Sequence, residues 1–283
     1  MTCVGNRRPL PERPNIFVAV YANWDFDAAK KYLTLGGTGN WGPFCFGRGA
    51  EILHPHFALI LNSPSEDDLT VTLPPERIWF AAGEPPEFKE YHRGQGHNTV
   101  LITCDASLAR NPPTDREVIL EPPVLQTWQV KRSLEELAGS SHNIKKTRSL
   151  SWVTSSKDVI PGHKLRLFFL RTLLGKVKID LYGHGFNPIE DKWEGIAPYH
   201  YSIAFENSRS PYYFTEKIMD CFVCNTIPFY YGSPEIQKYF PAKSFIVIDP
   251  TDPSTPEKIR DIIASDPWRE RQDALQEAKW LVL

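Results

Sequence analysis

The sequence predicts an α/β protein built from two halves, each an alternation of strands and helices. Apolar runs rich in β-branched and aromatic residues recur along the chain, and helical patterns separate them. A tract rich in proline and charge divides the series at about 111–146. With 283 residues the chain is long enough for two domains, each with its own core. We therefore predict a first α/β domain with its linker over 1–146 and a second over 147–283.

The first half begins with a predicted strand and helix. Residues 15–21 form a β-branched and aromatic run typical of a buried strand, and 25–33 show helical spacing after an acidic start. Short apolar runs bounded by Pro, Asp and Ser predict three more strands at 57–61, 77–81 and 98–103. We expect these strands to assemble into an open α/β layer.

The same alternation begins again after the proline-rich tract. Its apolar runs and helical patterns predict a second α/β layer. The predicted strands are 150–154, 177–181, 201–205, 227–231 and 245–248. The predicted helices are 164–174, 216–224, 256–264 and 267–281.

Composition and charge exclude several classes of protein. Hydrophobic residues at 41% and charged residues at 23% are typical of a soluble globular enzyme. A formal net charge of -2 leaves no excess of Lys and Arg for a nucleic-acid backbone. No run approaches the roughly 20 apolar residues of a membrane helix, and residues 1–9 lack the apolar core of a signal peptide. We expect a cytoplasmic protein with no nucleic-acid partner and no transmembrane segment.

The cysteines indicate reduced thiols. Their number is five, and Cys3, Cys45 and Cys104 are scattered along the chain. Cys221 and Cys224 form one C-x-x-C pair inside a predicted helix, without a second pair or clustered His. Packing in the core is the favoured interpretation of this pair, and redox or metal use is the alternative.

Polar, charged and aromatic residues are concentrated after the predicted strand 201–205. In α/β proteins, ligand sites form where strands end, so this segment is the candidate binding site. Its pieces, in order, are Phe205-Glu206-Asn207-Ser208, Tyr213 to Lys217, Pro228 to Gly232 and Ser244-Phe245-Ile246.

This ordered set resembles the donor-binding segment of the α-1,3-fucosyltransferases, glycosyltransferase family 10. The resemblance implies the GT-B fold, in which two Rossmann-like α/β domains face each other across a cleft. It also implies an inverting glycosyltransferase that moves L-fucose from GDP-fucose to a hydroxyl of a glycan acceptor. The expected partners are therefore a GDP-sugar donor and a glycan.

Five residues of the second half are the candidate donor-binding residues. Lys217 and Arg166 are cations suited to neutralise a diphosphate as it binds and departs. Glu216 has two acceptor oxygens suited to the hydroxyls of a ribose, a role that the resemblance also implies. Asn207 and Tyr213 match family positions that line the sugar and nucleotide pocket. Taken singly, each of these residues could instead be structural.

The residue before Glu216 is the candidate cap of the helix that follows. Thr215 has a hydroxyl that can accept a hydrogen bond from a backbone N–H of the first turn. Helix starts also attract anions. The sequence therefore predicts that the start of helix 216–224 and the phosphate site coincide.

A catalytic base is predicted in the first half. An inverting transferase needs a carboxylate within hydrogen-bond reach of the acceptor hydroxyl. Glu84 follows the predicted strand 77–81 in a segment that resembles the family's G-E-N-x-x-P-x-F, although Pro85 replaces the Asn. Glu87 is the alternative base, and a loop cap is the structural alternative for Glu84.

Other motifs receive weaker interpretations. No D-x-D triplet stands at a strand end where a divalent metal could bridge the diphosphate, so Lys217 and Arg166 replace a metal in the expected mechanism, which needs no cofactor beyond GDP-fucose. The acidic run 66–68 and the histidines of 92–97 are interpreted as solvated. The G-x-G-x-x-G of 37–42 follows a helix rather than a strand, which favours an acceptor-facing loop over 36–49.

Three departures from the family pattern leave alternatives open. Ser155-Ser156 and Tyr212 differ from the residues usual at those positions, and no basic tail follows the last predicted helix. The first two departures lie in the expected donor pocket. The alternatives are therefore transfer of a different GDP-linked sugar, and a catalytically silent protein that binds a glycan or a nucleotide.

Overall fold

The computed structural model describes residues 15–22, 26–62, 71–88, 100–110, 117–122, 128–139 and 144–283. The predictions for 66–68 and 92–97 fall outside these residues, as do residues 1–9 and the first two residues of the predicted strand 98–103. Within the described ranges, no helix is both long and apolar enough to cross a membrane.

The first sheet has seven strands in the order β2-β3-β1-β4-β5-β6-β7. Only β2 and β3 pair antiparallel among them. The strands are β1 Ile16–Ala22, β2 Asn40–Trp41, β3 Phe44–Arg48, β4 Phe57–Leu61, β5 Ile78–Ala81, β6 Val100–Thr103 and β7 Glu117–Leu120. The helices of this part of the chain are α1 Phe26–Leu33, α2 Ala106–Arg110 and α3 Leu134–Gly139.

The second sheet has five parallel strands in the order β12-β11-β10-β8-β9. The strands are β8 Arg148–Val153, β9 Asp180–Tyr182, β10 Tyr199–Phe205, β11 Ile227–Tyr231 and β12 Ile246–Val247. The helices are α4 Pro161–Leu173, α5 Lys192–Ile196, α6 Glu216–Val223, α7 Thr255–Ser265 and α8 Gln272–Val282.

The strand order of the second sheet reverses between β8 and β10. The chain runs outward from β8 to β9 on one side, and from β10 to β11 and β12 on the other. In open parallel sheets, ligands bind at the carboxyl ends of the strands where the order reverses. We call this space the switch crevice; it is bounded by residues 154–157 after β8 and 206–208 after β10.

An aromatic cluster packs between the two strands that bound the crevice and helix α4. The rings of Trp152 on β8, Phe169 on α4 and Phe205 on β10 lie with centroids 5.9–6.1 Å apart, and all three side chains are buried. Burying such a side chain stabilises the fold by about 1.5–3 kcal/mol. The cluster therefore fixes the two strand ends and helix α4 relative to one another.

The predicted linker 111–146 is corrected in part. It contains β7, which pairs with β6 at the edge of the first sheet, and the helix α3. A four-residue strand between proline-rich stretches is too short to stand out by its pattern. Trp128 and Leu137 pack in the core beneath the second sheet, so 128–139 belong with that core. The domain division at residue 146 stays a prediction.

Three other element predictions were wrong in detail. The loop expected over 36–49 contains β2 and β3, and β3 pairs with β1. The strand expected at 177–181 begins later, because the amide of Val177 still bonds to the last turn of α4 and its side chain enters the core. The last predicted helix, 267–281, begins later, because a 3-10 turn at Arg269–Arg271 precedes α8, which starts at Gln272.

The C-x-x-C pair lies in the core, in agreement with the packing interpretation. Helix α6 ends at Val223, between the two cysteines of the motif, and both thiols are buried and free. Burial raises the pKa of both Cys221 and Cys224, so the thiols stay protonated.

A lysine near the same thiols joins three parts of the second half. Lys146 Nζ donates hydrogen bonds of 2.8 Å to the carbonyls of Ala197 and Cys224 and to Thr226 Oγ1. It has no ion-pair partner among the residues that the structure describes. Burial therefore lowers the pKa of Lys146 from 10.5 to about 7.

We expect this lysine to make stability depend on pH. Between about pH 7 and 10.5 the unfolded chain binds the proton more tightly, so unfolding becomes less favourable as pH rises. From pH 7 to 9 the free energy of unfolding should rise by up to about 2 kcal/mol from this group. Urea denaturation of Lys146→Met should lack this increment, whereas Lys145→Met, at an exposed neighbour, should retain it.

Candidate functional site

Arg166 joins the two strand ends that form the switch crevice. Its Nη1 donates to Asn207 Oδ1 at 2.8 Å, and its Nη2 donates to the carbonyls of Ser155 and Lys157 at 3.0 and 3.1 Å. The residue is only 4% exposed. Its buried Nε has no hydrogen-bond partner, and no described carboxylate forms an ion pair with the guanidinium. Among the described residues, Arg166 is therefore a buried positive charge without a paired acid beside the crevice, and a bound anion would supply the missing negative charge.

Two glycines allow the close packing around this arginine. A Cβ on Gly162, in the first turn of α4, would lie 1.7 Å from the carbonyl oxygen of Asn207. A Cβ on Gly183, where φ is 109°, would lie 2.1 Å from the carbonyl oxygen of Thr154. Larger residues at either position would push helix α4 or the loop after β9 away from the crevice.

His163 lies on helix α4 directly after Gly162. Its Nδ1 accepts hydrogen bonds from the backbone amides of Val159 and Ile160 at 3.2 and 3.5 Å, and the residue is 7% exposed. Burial lowers the pKa of His163. The positive charges of Arg166 and Lys217 lower it further, so the imidazole is neutral at neutral pH.

A fully buried carboxylate holds the start of helix α6. Glu206 accepts hydrogen bonds from the Thr215 amide at 2.8 Å and from Thr215 Oγ1, and it forms an ion pair of 3.3 Å with Lys217 Nζ. Burial raises the pKa of Glu206, and the charge of Lys217 opposes the rise. Thr215 also accepts from the Lys217 amide as the helix cap, which confirms its predicted role.

A second ion pair orients Glu216. Lys192 Nζ lies 3.1 Å from both Glu216 Oε1 and Asp220 Oδ2, and Lys217 Nζ lies 3.7 Å from Glu216. Burial favours a raised pKa for Glu216, but the charges of Lys192 and Lys217 outweigh it and lower the pKa to about 2. Glu216 is therefore ionised and presents acceptor oxygens beside the crevice.

Tyr213 is buried close to the same carboxylates. Its amide donates to the carbonyl of Ser210 at 3.1 Å, and no described residue hydrogen-bonds its hydroxyl. Burial raises the pKa of Tyr213, and nearby carboxylates, Glu84 of the first half among them, add to the shift. Its hydroxyl is therefore protonated and can donate to a ligand.

The loop that carries Glu84 lies against the loop after β10. Gly83, at the end of β5, donates its amide to Asn62 Oδ1 at 2.8 Å, which fixes the start of this loop. Ser208 Oγ donates to Glu87 Oε1 at 2.9 Å, and Ser210 Oγ donates to the carbonyl of Cys104 at 3.3 Å. The carboxyl ends of the two sheets thus meet at one cleft.

The structure brings the predicted residues together in three groups. Arg166 contacts Asn207 directly, and Glu216 lies beside Lys217. Glu84 is half-buried on the opposite wall, while Glu87 is exposed and bonded to Ser208. Their roles in binding and catalysis stay predictions.

Sequence reasoning did not find His163, Lys192 or Asn62. Lys192 lies 24 residues before Glu216, and no motif connects the two positions. His163 has no motif either. Asn62 directly follows a predicted strand, and a polar residue at a strand end was a usable signal that was missed. No group of three or more His, Cys, Asp or Glu side chains that could hold a metal occurs in the described ranges.

Two parallel α/β sheets that meet at a cleft by their carboxyl ends define the GT-B class of fold. Residues 143–264 match the model of glycosyltransferase family 10 (fucosyltransferase), C-terminal part. The second half of this chain is therefore similar to the C-terminal part of glycosyltransferase family 10. The match confirms that the ordered motifs within residues 205–246 resemble those of this family.

Individual relatives agree with this assignment. The alpha-(1,3)-fucosyltransferase FucT of Helicobacter pylori is 42% identical over 62 residues, which are 22% of this chain and 13% of that protein. The 4-galactosyl-N-acetylglucosaminide 3-alpha-L-fucosyltransferase FUT5 of Hylobates lar is 24% identical over 173 residues, 60% of this chain and 42% of that protein. The chain thus spans less than half the length of either curated relative.

A solved structure shares the fold of nearly the whole chain. The crystal structure of an alpha1,3-fucosyltransferase with GDP superposes with a TM-score of 0.54 at 19% identity. The superposition covers 95% of this chain and 83% of that chain. The expected GT-B fold is therefore confirmed.

We expect Glu206 to be essential for the stability of the site. Glu206→Gln should leave the half-buried Lys217 with only its longer contact to Glu216 at 3.7 Å, which costs about 3 kcal/mol of unfolding free energy. Chemical denaturation measures this loss. As a control, Glu235→Gln removes an exposed pair with Lys238 and should change stability by less than about 1 kcal/mol. Equal losses in the two variants would contradict the buried-pair account.

Proposed function

We propose that the protein is an inverting glycosyltransferase that transfers L-fucose from GDP-fucose to a hydroxyl of a glycan acceptor. The observation that carries this proposal is Arg166, a buried cation at the switch crevice with an unbonded Nε and no counter-charge among the described residues. A diphosphate at this position would accept a hydrogen bond from Arg166 Nε and would supply the negative charge that Arg166 lacks. The family match and the fucosyltransferase names of the relatives support the choice of donor.

The donor would lie across the carboxyl ends of β8 and β10. Arg166 and Lys217 would bind the diphosphate, and the N-terminus of α4 adds a favourable dipole. Glu216 would accept hydrogen bonds from the ribose hydroxyls, since Lys192 holds it ionised. Asn207 and Tyr213 would line the sugar pocket. A solved structure of the same fold was determined with GDP, which supports GDP as a ligand.

Transfer would occur in one displacement. The acceptor oxygen attacks the anomeric carbon of fucose while Glu84 takes its proton. The bond between the anomeric carbon and the β-phosphate oxygen breaks, and its electron pair leaves with GDP. Arg166 and Lys217 stabilise the developing charge on GDP. In this mechanism the two cations perform the neutralisation for which other transferases use a metal.

Glu84 is the better candidate for the base. Glu87 Oε1 already accepts a hydrogen bond from Ser208, so Glu87 would link the two halves of the chain. Glu84 is half-buried on the cleft wall and contributes to the electrostatic field at Tyr213.

Action in the cytoplasm stays a prediction from composition.

GDP should stabilise the protein through Lys217. At a GDP concentration of 100 times the Kd, the free energy of unfolding should rise by about 2.7 kcal/mol, seen as an increase in Tm. Lys217→Ala should abolish this increase. Lys238→Ala, an exposed lysine on the same half, should retain it. A full GDP response in Lys217→Ala would remove this residue from the site.

Glu84→Gln should prevent transfer without preventing donor binding. Because the variant lacks a base, turnover of GDP-fucose on a glycan array should fall by roughly 10² to 10⁴, while the GDP-induced increase in Tm persists. GDP-mannose serves as the control donor, and NMR of the product gives the linkage. Parental turnover in Glu84→Gln, with loss in Glu87→Gln, would transfer the role to Glu87.

A further inference from the structure

His163 borders the switch crevice. It stands between Gly162, which touches the backbone of Asn207, and Arg166, which lies one helical turn further on the same face of α4. Both neighbours contact the loop after β10. The imidazole is therefore placed at the crevice by the same helix turn that places the arginine.

The hydrogen bonds of the ring identify its tautomer. Two backbone N–H groups, those of Val159 and Ile160, point at Nδ1. A nitrogen that accepts from N–H groups carries no proton, so the ring proton is on Nε2. This Nε2–H makes no hydrogen bond to any residue that the structure describes. Nε2 is not one of the fully buried polar atoms without a partner in the described ranges, so its N–H reaches solvent and is open to an acceptor on a ligand.

The surroundings of the ring favour an anion as that acceptor. Three cations, Arg166, Lys157 and Lys217, act on the ring, and Asp158 acts against them. The ring does not take up a proton among these charges, so it acts as a neutral donor. An anion at the crevice would therefore meet positive charge and the Nε2–H together.

We propose that His163 is a further donor-binding residue, whose Nε2–H donates a hydrogen bond to a diphosphate oxygen of the bound GDP-sugar. This inference rests on the proposed function, because it assigns a new contact within the same site. It also explains the orientation of the ring: the backbone amides that hold Nδ1 direct Nε2–H outward. The competing account is that His163 only caps helix α4 through Nδ1.

Two substitutions separate these accounts. In His163→Asn the side-chain oxygen can replace Nδ1 as the acceptor for the two amides, but no donor remains at the position of Nε2. In His163→Gln the amide nitrogen can replace Nε2–H, but the acceptor at Nδ1 is lost. His163→Asn therefore tests the phosphate contact while the helix cap is retained. His163→Gln tests the helix cap while the donor to the phosphate is retained.

The measurement is isothermal titration calorimetry with GDP, together with ligand-observed NMR with guanosine, on the full chain. We expect His163→Asn to raise the Kd for GDP by about 10-fold to 100-fold, as for a lost hydrogen bond to a charged group. Guanosine affinity should not change, because guanosine lacks phosphate. His163→Gln should bind GDP within a few-fold of the parent while having a lower Tm.

Three results would overturn the proposal. Parental GDP affinity in His163→Asn would leave His163 as a helix cap only. Equal losses of GDP and guanosine affinity would show a distorted pocket rather than a lost phosphate contact. If the parent protein itself binds no GDP, the proposed function fails and this inference fails with it. If the parent protein binds GDP and His163→Asn binds it equally well, this inference fails alone.

Discussion

The candidate site depends on one interaction, the hydrogen bonding of a buried guanidinium between two strand ends. Arg166 connects Asn207 after β10 with Ser155 and Lys157 after β8, and the aromatic cluster below holds the same elements. A buried charge without a partner normally costs several kcal/mol. The fold tolerates this cost because the guanidinium donates to three carbonyl-type oxygens, and an anionic ligand would reduce it further.

The charges beside Arg166 form a contrasting arrangement. Lys217 and Lys192 are each paired with carboxylates, and these pairs order the start of α6. Glu216 is thereby kept ionised and Thr215 is kept at the cap. Within the described ranges, the site thus combines a cation without a paired acid, which favours binding of an anion, with a paired network that fixes the groups around it.

Sequence reasoning found those parts of the fold and site that are local in the chain. Strands 57–61 and 227–231 were predicted at their observed bounds, because their apolar runs end sharply in turn residues. The segment from Glu206 to Lys217 was visible because its residues are neighbours in sequence. Lys192 and strand β7 were not, since their places depend on tertiary contacts, an ion pair and an edge pairing. His163 bonds to amides three and four residues before it, but no sequence motif singles it out. The approach of Glu87 to Ser208 likewise follows only from how the two sheets meet.

The most direct test of the central claim is a crystal structure of the protein with GDP. The account predicts the diphosphate in the switch crevice, with one oxygen within about 3.2 Å of Arg166 Nε and another near Lys217 Nζ. A cavity of about 650 Å³ beside β11 and β12, lined by Arg209, Tyr231 and Asp249, offers a different place for a nucleotide. GDP bound there, with Arg166 Nε still unbonded, would contradict the account.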